Sequence, residues 1–481
     1  MSAITENITN GVKWTGLSSG INAIVKLVQV SVLAHILNPD AFGLIAIAYI
    51  FLTFGDIIVD MGLTTAILHF NIIKPRQYSS IFWINVVLGL CMAISIYASS
   101  DIIAKYYNNP EVRVIIRWLS ANIFIISLSR LHKTFLQKEM NFKLMSQIEI
   151  AGAIVMCVSA IIFALKGLSV YSLVYSTLLS SLIVTLLFLK LTHKLNRQIK
   201  LYINLREIKE FYSIGIFQFL SAIVEFFSRE TDTIFISSYF SIELLGYYTL
   251  CKQLVQRLYN VINPIIIKVA IPSLSVIQNN ITQLCSIYYK MIKNASYINF
   301  YIYSALGVSS YMILYYLYGQ NYTKFCWLLY IMSIYFAIQS IGCFAGVLNT
   351  VLGKTKIVFV WSIYRVIITL SICYITSSCR FGVYVFIMTI GIQLLNLYPS
   401  YRLTIHKFIP MKFTTYIGAM ILPLLFGLIS STIIISSTNF IKNAWINGVI
   451  GLLTLSLLYF LFTYLINKNI VQRLKGILFK I

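Results

Sequence analysis

Apolar stretches of about twenty residues, separated by short polar connections, follow one another along almost the whole chain. An α-helix rises 1.5 Å per residue, so about 20 such residues cross the ~30 Å hydrocarbon core of a bilayer. Fourteen windows qualify: 14–37, 43–69, 79–103, 112–135, 144–165, 169–189, 211–239, 244–270, 289–317, 326–350, 357–377, 383–405, 414–436 and 444–467. No soluble core of 481 residues absorbs a chain that is 59% hydrophobic and 11% charged. The class predicted is therefore an all-α polytopic membrane protein with about 14 transmembrane helices. A net charge of +23 would suggest nucleic acid in a soluble chain. Here the basic residues fall mostly in the short connections, where they set topology, and no nucleic-acid partner is expected.

The opening "MSAITENITNGVKW" is polar and precedes no cleavage site, so the first window, which holds Lys26, reads as a working helix. The eight cysteines sit mostly inside apolar windows without CxxC spacing and read as small core residues. No cluster of His, Cys and carboxylates suits a metal, and no Gly-rich phosphate loop or nucleophile motif appears. The five histidines, His35, His69, His132, His193 and His406, are scattered near helix ends. No catalytic residue, metal or cofactor is expected, and the chain does not read as an enzyme. A polymerase or acyltransferase would show a large extracytoplasmic loop or a His/Asp motif.

Lys and Arg choose the orientation. With the N-terminus in the cytoplasm, the cytoplasmic connections and the C-terminal end hold 21 basic residues and the opposite loops hold 6, Lys105, Arg113, Lys166, Lys324, Arg380 and Lys442. The positive-inside rule therefore predicts both termini in the cytoplasm, which requires an even number of helices. The end "NKNIVQRLKGILFKI" reads as a basic amphipathic helix on the inner leaflet.

An internal echo divides the chain. "LNPDAFGLIAIA" (37–48) and "FSIELLGYYTLC" (240–251) each place an acid, Asp40 or Glu243, three residues before a glycine, Gly43 or Gly246. "YNNPEV" (107–112) and "YGQNYT" (318–323) form a second, similarly spaced echo. Six helices separate the members of each pair, so the halves share an orientation, as in a parallel repeat about the membrane normal. The organisation predicted is an N-lobe of six helices (1–190), a basic cytoplasmic linker (191–210), a C-lobe of six helices (211–405), and two further helices with the basic tail (406–481).

Charge is distributed unevenly. All 14 Asp and Glu residues lie at or before Glu243, whereas the 238 residues beyond it contain 18 Lys and Arg. Lys252, Arg257 and Arg365 fall inside spans. A cation near a helix end snorkels to the interface, but Lys252 and Arg257 lie too deep for that. An unpaired cation at mid-membrane costs roughly 3 kcal/mol or more, so each needs water, a counter-charge or an anionic ligand. In "AIVEFFSRETDTIFISSYF" (222–240), Glu225, Arg229 and Asp232 share one helical face, and Asp56 and Asp60 lie one turn apart on the second helix. Two readings stand side by side. The acids form ion pairs that join helices one, two, seven and eight; or these helices line a polar cavity in which Lys26, Arg229, Lys252 and Arg257 attract an anion while Asp56, Asp60, Glu225 or Asp232 meet a coupling cation.

The stretches "SRETDTIFISSYFSIELLGYYTLCKQL" and "LAHILNPDAFGLIAIAYIFLTFGDIIVDMGL" resemble the seventh-to-eighth and first-to-second helix segments of Wzx-type oligosaccharide flippases. These belong to the multidrug/oligosaccharidyl-lipid/polysaccharide superfamily, and the likeness extends in layout over most of the first 420 residues. The resemblance implies a fourteen-helix, two-lobed transporter of the bacterial inner membrane. It implies that undecaprenyl-diphosphate-linked sugar repeat units pass from the cytoplasmic to the periplasmic face by alternating access of a cationic central cavity, for O-antigen or capsule synthesis. Cavity cations at Lys26, Arg229, Lys252 and Arg257 would hold the diphosphate; Lys26 stands where relatives often carry arginine and lacks that side chain's bidentate fork. Coupling to H⁺, to Na⁺ or to the membrane potential, a monomeric state, contact with membrane lipids, and a polysaccharide polymerase and chain-length proteins as partners complete the expectation. A cation-coupled multidrug exporter and a flippase for the peptidoglycan lipid precursor are the alternatives within the superfamily.

Overall fold

The structure is a computed structural model, and it describes residues 2–70, 73–194, 200–204, 206, 208–378, 384–438 and 444–466. The chain divides into two compact units, Met1–Gly246 and Tyr247–Ile481. Sixteen α-helices follow in order among the described residues, and each of the fourteen apolar windows coincides with one of them or with two in series. Ten segments are long and apolar enough to cross a membrane. This is a multi-pass membrane protein.

The first unit contains α1 (Ser2–Ile36), α2 (Pro39–Asp60), α3 (Leu63–His69), α4 (Pro75–Tyr106), α5 (Pro110–Lys138), α6 (Phe142–Leu165), α7 (Tyr171–Lys194) and α8 (Lys209–Tyr239), with the first turn of α9 (Ile242–Ser275). Proline opens α2, α4 and α5, because its fixed φ suits the first helical turn and its missing N–H would have no partner there. Asn109 and Asn141 cap α5 and α6 by accepting from the backbone N–H groups of Glu111 and Leu144. α4 packs along α5, α1 along α6, α6 along α7, and α2 and α3 both lie against α8.

The span 39–69 is not one helix. Met61 and Gly62 take left-handed φ values of 43° and 72° and separate α2 from α3. The freed backbone groups find partners: Asn85 donates to the carbonyl of Val59 at 3.0 Å, and Lys138 donates to the carbonyls of Ile67 and Phe70. Gly62 also lies against Gly215 of α8, where a Cβ would stand 2.1 Å from the Gly215 carbonyl oxygen. Beneath the break sits the core of Leu63, Ala66, Ile67, Tyr78, Ile81, Phe82, Val86, Leu131, Ile208 and Phe211. The described part of the connection ahead of α8 is held to α4. Trp83 donates to the Lys200 carbonyl at 3.1 Å, and Ser79 and Ser80 accept from the backbone of Lys200 and Asn204.

The second unit contains the rest of α9, α10 (Ile281–Val308), α11 (Ser310–Tyr318), α12 (Cys326–Val351), α13 (Thr355–Ser378), α14 (Tyr384–Ser400), α15 (Phe413–Thr438) and α16 (Ala444–Ile466). α10 is the hub, packing on α12, α15 and α16. Apolar faces alone give little drive for association in lipid, so hydrogen bonds between helices matter. Asn299 donates to Ser340 at 3.0 Å, Tyr459 donates to the Tyr297 carbonyl at 2.9 Å, and the hydroxyl pairs Tyr301–Ser456 and Tyr330–Ser431 stand at 2.8 and 2.7 Å.

Helices α10 and α11 meet at a 60° bend and form an eleventh apolar segment if taken as one span. Three of the fourteen windows hold α8, α13 and α14, outside those eleven. α8 carries Glu225, Arg229, Glu230 and Asp232 within eight residues, and α14 has 17 residues before a π-helical turn, Tyr401–Ile405. The basic tail from 467 onward and residues 195–199, 205 and 207 of the 191–210 linker, Arg197 among them, lie outside the described residues.

Candidate functional site

Each unit holds part of the charge set expected from the sequence. In the first unit, Asp56 and Asp60 point from α2 to the same guanidinium, that of Arg130 on α5. Its Nη1 stands 3.2 Å from Asp60 and its Nη2 bonds Asp56. The Asp60 carboxylate also accepts from the Thr64 hydroxyl at 2.5 Å, across the break between α2 and α3. Two acids one turn apart face one helix face, and α5 packs on that face, so the pair converges on a single cation. Arg130 side-chain exposure is 16%, against 24% for Asp60 and 47% for Asp56. The sequence reading found both acids and missed Arg130. The available signal was an arginine on the fourth window, two residues ahead of His132, in a helix that must pack somewhere near the second.

Three further ion pairs join neighbouring helices. Arg117 and Arg113 of α5 meet Asp101 of α4 at 2.8 and 3.5 Å, and Lys133 meets Glu149 of α6 at 2.8 Å. Ion pairing between helices therefore engages Asp56, Asp60, Asp101 and Glu149 of the first unit.

On α8, Arg229 pairs with Glu225, one turn before it. The pair is open, with 61% and 58% of the side chains exposed, so it is held in place by the helix and not by a core. Asp232 is half-buried and accepts from the backbone N–H and the hydroxyl of Thr233 at 2.9 and 3.5 Å. Phe54 of α2 packs on Phe226 and Phe227, at centroid distances of 5.4 and 6.3 Å, which seats this charged turn of α8 beside α2. Lys26 is exposed on α1, on a helix whose Gln29 is buried.

In the second unit, Lys252 and Arg257 lie on α9, ten and fifteen residues from its start, about 15 and about 22 Å along the axis. Lys252 is 9% exposed, and its ammonium stands 6.0 Å from the centre of the Tyr248 ring. Cation–π contact partly replaces lost hydration. Arg257 is half-buried, near Tyr318. No Asp or Glu exists anywhere in 247–481, so neither cation is neutralised by an acid of its own unit. Among the described residues no three His, Cys, Asp or Glu side chains gather as a metal site would need.

Comparison with known proteins places this geometry. Residues 32–327 match the protein family described as "Polysaccharide biosynthesis protein". The lipopolysaccharide biosynthesis protein WzxC of Escherichia coli (strain K12) is 22% identical over 437 residues, covering 90% of this chain and 88% of that protein. The teichuronic acid biosynthesis protein TuaB of Bacillus subtilis (strain 168) is 26% identical over 274 residues, 56% of each chain. Among solved structures, the lipid II flippase MurJ in an inward closed conformation superposes with a TM-score of 0.74 at 16% identity, over 96% of this chain and 100% of MurJ. The two share a fold.

Proposed function

Because the chain belongs to the polysaccharide biosynthesis protein family, we propose that it carries lipid-linked oligosaccharides across the bacterial inner membrane. More narrowly, it flips undecaprenyl-diphosphate-linked repeat units from the cytoplasmic to the periplasmic leaflet for surface polysaccharide such as O-antigen or capsule. The observation that carries this reading is the charge of the second unit. Lys252 and Arg257 lie deep in a span, in 235 residues without one carboxylate. A lipid diphosphate brings about two negative charges and is attracted by such cations.

The roles follow from position. Lys252 and Arg257 hold the diphosphate at mid-depth. Arg229 is open to an anion while Glu225 occupies it in the anion's absence, and Lys26 adds a point charge on α1. Asp232 is the acid of α8 available to a coupling cation, while Asp56 and Asp60 hold Arg130 across α2 and α5. With the termini cytoplasmic and the cytoplasm negative, each anionic charge moving outward gains about 2.3 kcal/mol per 100 mV. The potential therefore drives the proposed direction. Alternating access by rocking about the polar helices would expose the headgroup to one side and then the other.

The test is substrate selection by purified protein in proteoliposomes. Flipping of a fluorescent undecaprenyl-diphosphate oligosaccharide, without efflux of cationic dyes, is expected. Dye efflux without lipid flipping would establish a drug exporter, and selective flipping of the peptidoglycan lipid precursor would reassign the sugar.

A further inference from the structure

We propose that Arg365 is an additional anion site on the substrate path, one that takes the phosphate groups of the lipid-linked headgroup at mid-membrane; the proposal rests on the flippase reading. Arg365 is the eleventh residue of α13, so it lies about 15 Å along the axis from Thr355, half the thickness of a bilayer core. It cannot snorkel to either interface from there.

The helix shows which way it faces. Phe359, Val360, Ile367, Leu370 and Tyr374 are exposed apolar residues. At 100° per residue all five fall within about 60° of the direction opposite Arg365. Among the exposed large apolar residues described on the helix, Ile375, near the far end, lies off this stripe. The stripe is the lipid face, and Arg365 stands on the other side of the helix with Trp361, Ser362 and Thr369, all half-buried. The Thr369 hydroxyl donates to the Arg365 backbone carbonyl at 2.8 Å.

The guanidinium Nε has no acceptor among the described residues. That nitrogen is fully enclosed by the protein. The second unit supplies no acid to accept from it. On the neighbouring antiparallel helix α12, Gln339 lies about 18 Å from Val351, nearly the same depth, and its Oε1 is enclosed without a donor. One side chain wants an acceptor and the other wants a donor, at one level of the bilayer. A phosphate with its hydration water, or with sugar hydroxyls behind it, offers both.

Depth separates the transported anion from an ordinary lipid. A resident phospholipid keeps its phosphate at the interface, about 15 Å from the bilayer centre. A phosphate reaches Arg365 only in transit. The guanidinium fork matches phosphate oxygens in a way that lysine does not.

The experiment uses the full chain in nanodiscs, wild type beside Arg365→Gln and Arg365→Lys. The probes are undecaprenyl diphosphate and inorganic diphosphate, each with and without phosphatidylglycerol in the disc. Arg365→Gln should raise the Kd for undecaprenyl diphosphate about tenfold, the scale of one lost charge-assisted hydrogen bond. Arg365→Lys should raise it by less, and phosphatidylglycerol should not compete. An unchanged Kd in a folded Arg365→Gln protein overturns the proposal, and so does full competition by phosphatidylglycerol, which would mark a resident-lipid site. If Arg365→Gln does not fold, Arg365→Lys decides: a Kd equal to wild type counts against the proposal. If wild type binds inorganic diphosphate through Arg365 but no undecaprenyl diphosphate, the anion site stands and the flippase reading falls.

Discussion

Gly246 presses its backbone onto the carbonyl oxygen of Pro39, so that a Cβ on Gly246 would stand 2.0 Å from that oxygen. The contact is reciprocal, since a Cβ on Gly43 would stand 2.1 Å from the carbonyl oxygen of Ile242. The first turns of α2 and α9, the two segments that echo each other in sequence, therefore meet face to face through their matching glycines. Neither obstacle is a flexible side chain that can swing away.

Gly43→Ala or Gly246→Ala should consequently destabilise the protein by about 1–3 kcal/mol, the range for forced overpacking. Gly16→Ala is the control with the opposite sign. Nothing lies within 4 Å of a Cβ there, and replacing a helical glycine by alanine gains about 0.5–1 kcal/mol. Unfolding in mixed micelles measures all three.

Arg130 holds two acids of α2 from α5 with only 16% of its side chain exposed. Arg130→Ala leaves two carboxylates facing each other and should cost about 3 kcal/mol. Asp60→Asn should cost more than Asp56→Asn, because Asp56 is the more exposed of the two acids and water screens its loss. The same unfolding measurement ranks them, and an equal effect of the two Asn variants would contradict the burial argument.

Arg229 and Glu225 are expected to separate stability from transport. Their pair is open to solvent, so Glu225→Gln should change stability by no more than about 0.5 kcal/mol. Arg229→Ala should be just as well folded, yet should slow flipping about tenfold if the guanidinium meets the diphosphate.

Lys138 satisfies the last carbonyls of α3, those of Ile67 and Phe70. Lys138→Met keeps the packing volume and removes the donor, so it should lower stability by about 1 kcal/mol. Amide exchange in 63–70 should quicken with it.

Much of the helix layout was legible in the sequence because the bilayer makes hydrophobic length a direct readout of a span. The break at Met61–Gly62 was not legible: one glycine inside a long hydrophobic span does not by itself end a helix, and what tolerates the break, Asn85, Lys138 and Gly215, comes from three other helices. Charge location told which residues are unusual but not who pairs with whom. Asp56 and Asp60 were singled out by spacing on one helix, whereas Arg130 lies seventy residues on from Asp60 and only packing brings it there. The turn between Glu225 and Arg229 was readable because both partners sit on one helix. Arg365 was visible as a cation inside a span, but its orientation needed the exposed stripe on the far side of α13.

The measurement that bears most directly on the account is headgroup accessibility in proteoliposomes, with fluorescent undecaprenyl-diphosphate oligosaccharide, wild type beside Arg257→Gln, at imposed potentials of either sign. Wild type should flip the lipid, faster when the side from which the headgroup leaves is negative, and Arg257→Gln should be slower by about tenfold while equally well folded. Flipping that ignores both the potential and Arg257 would contradict an anion carried through a cationic path.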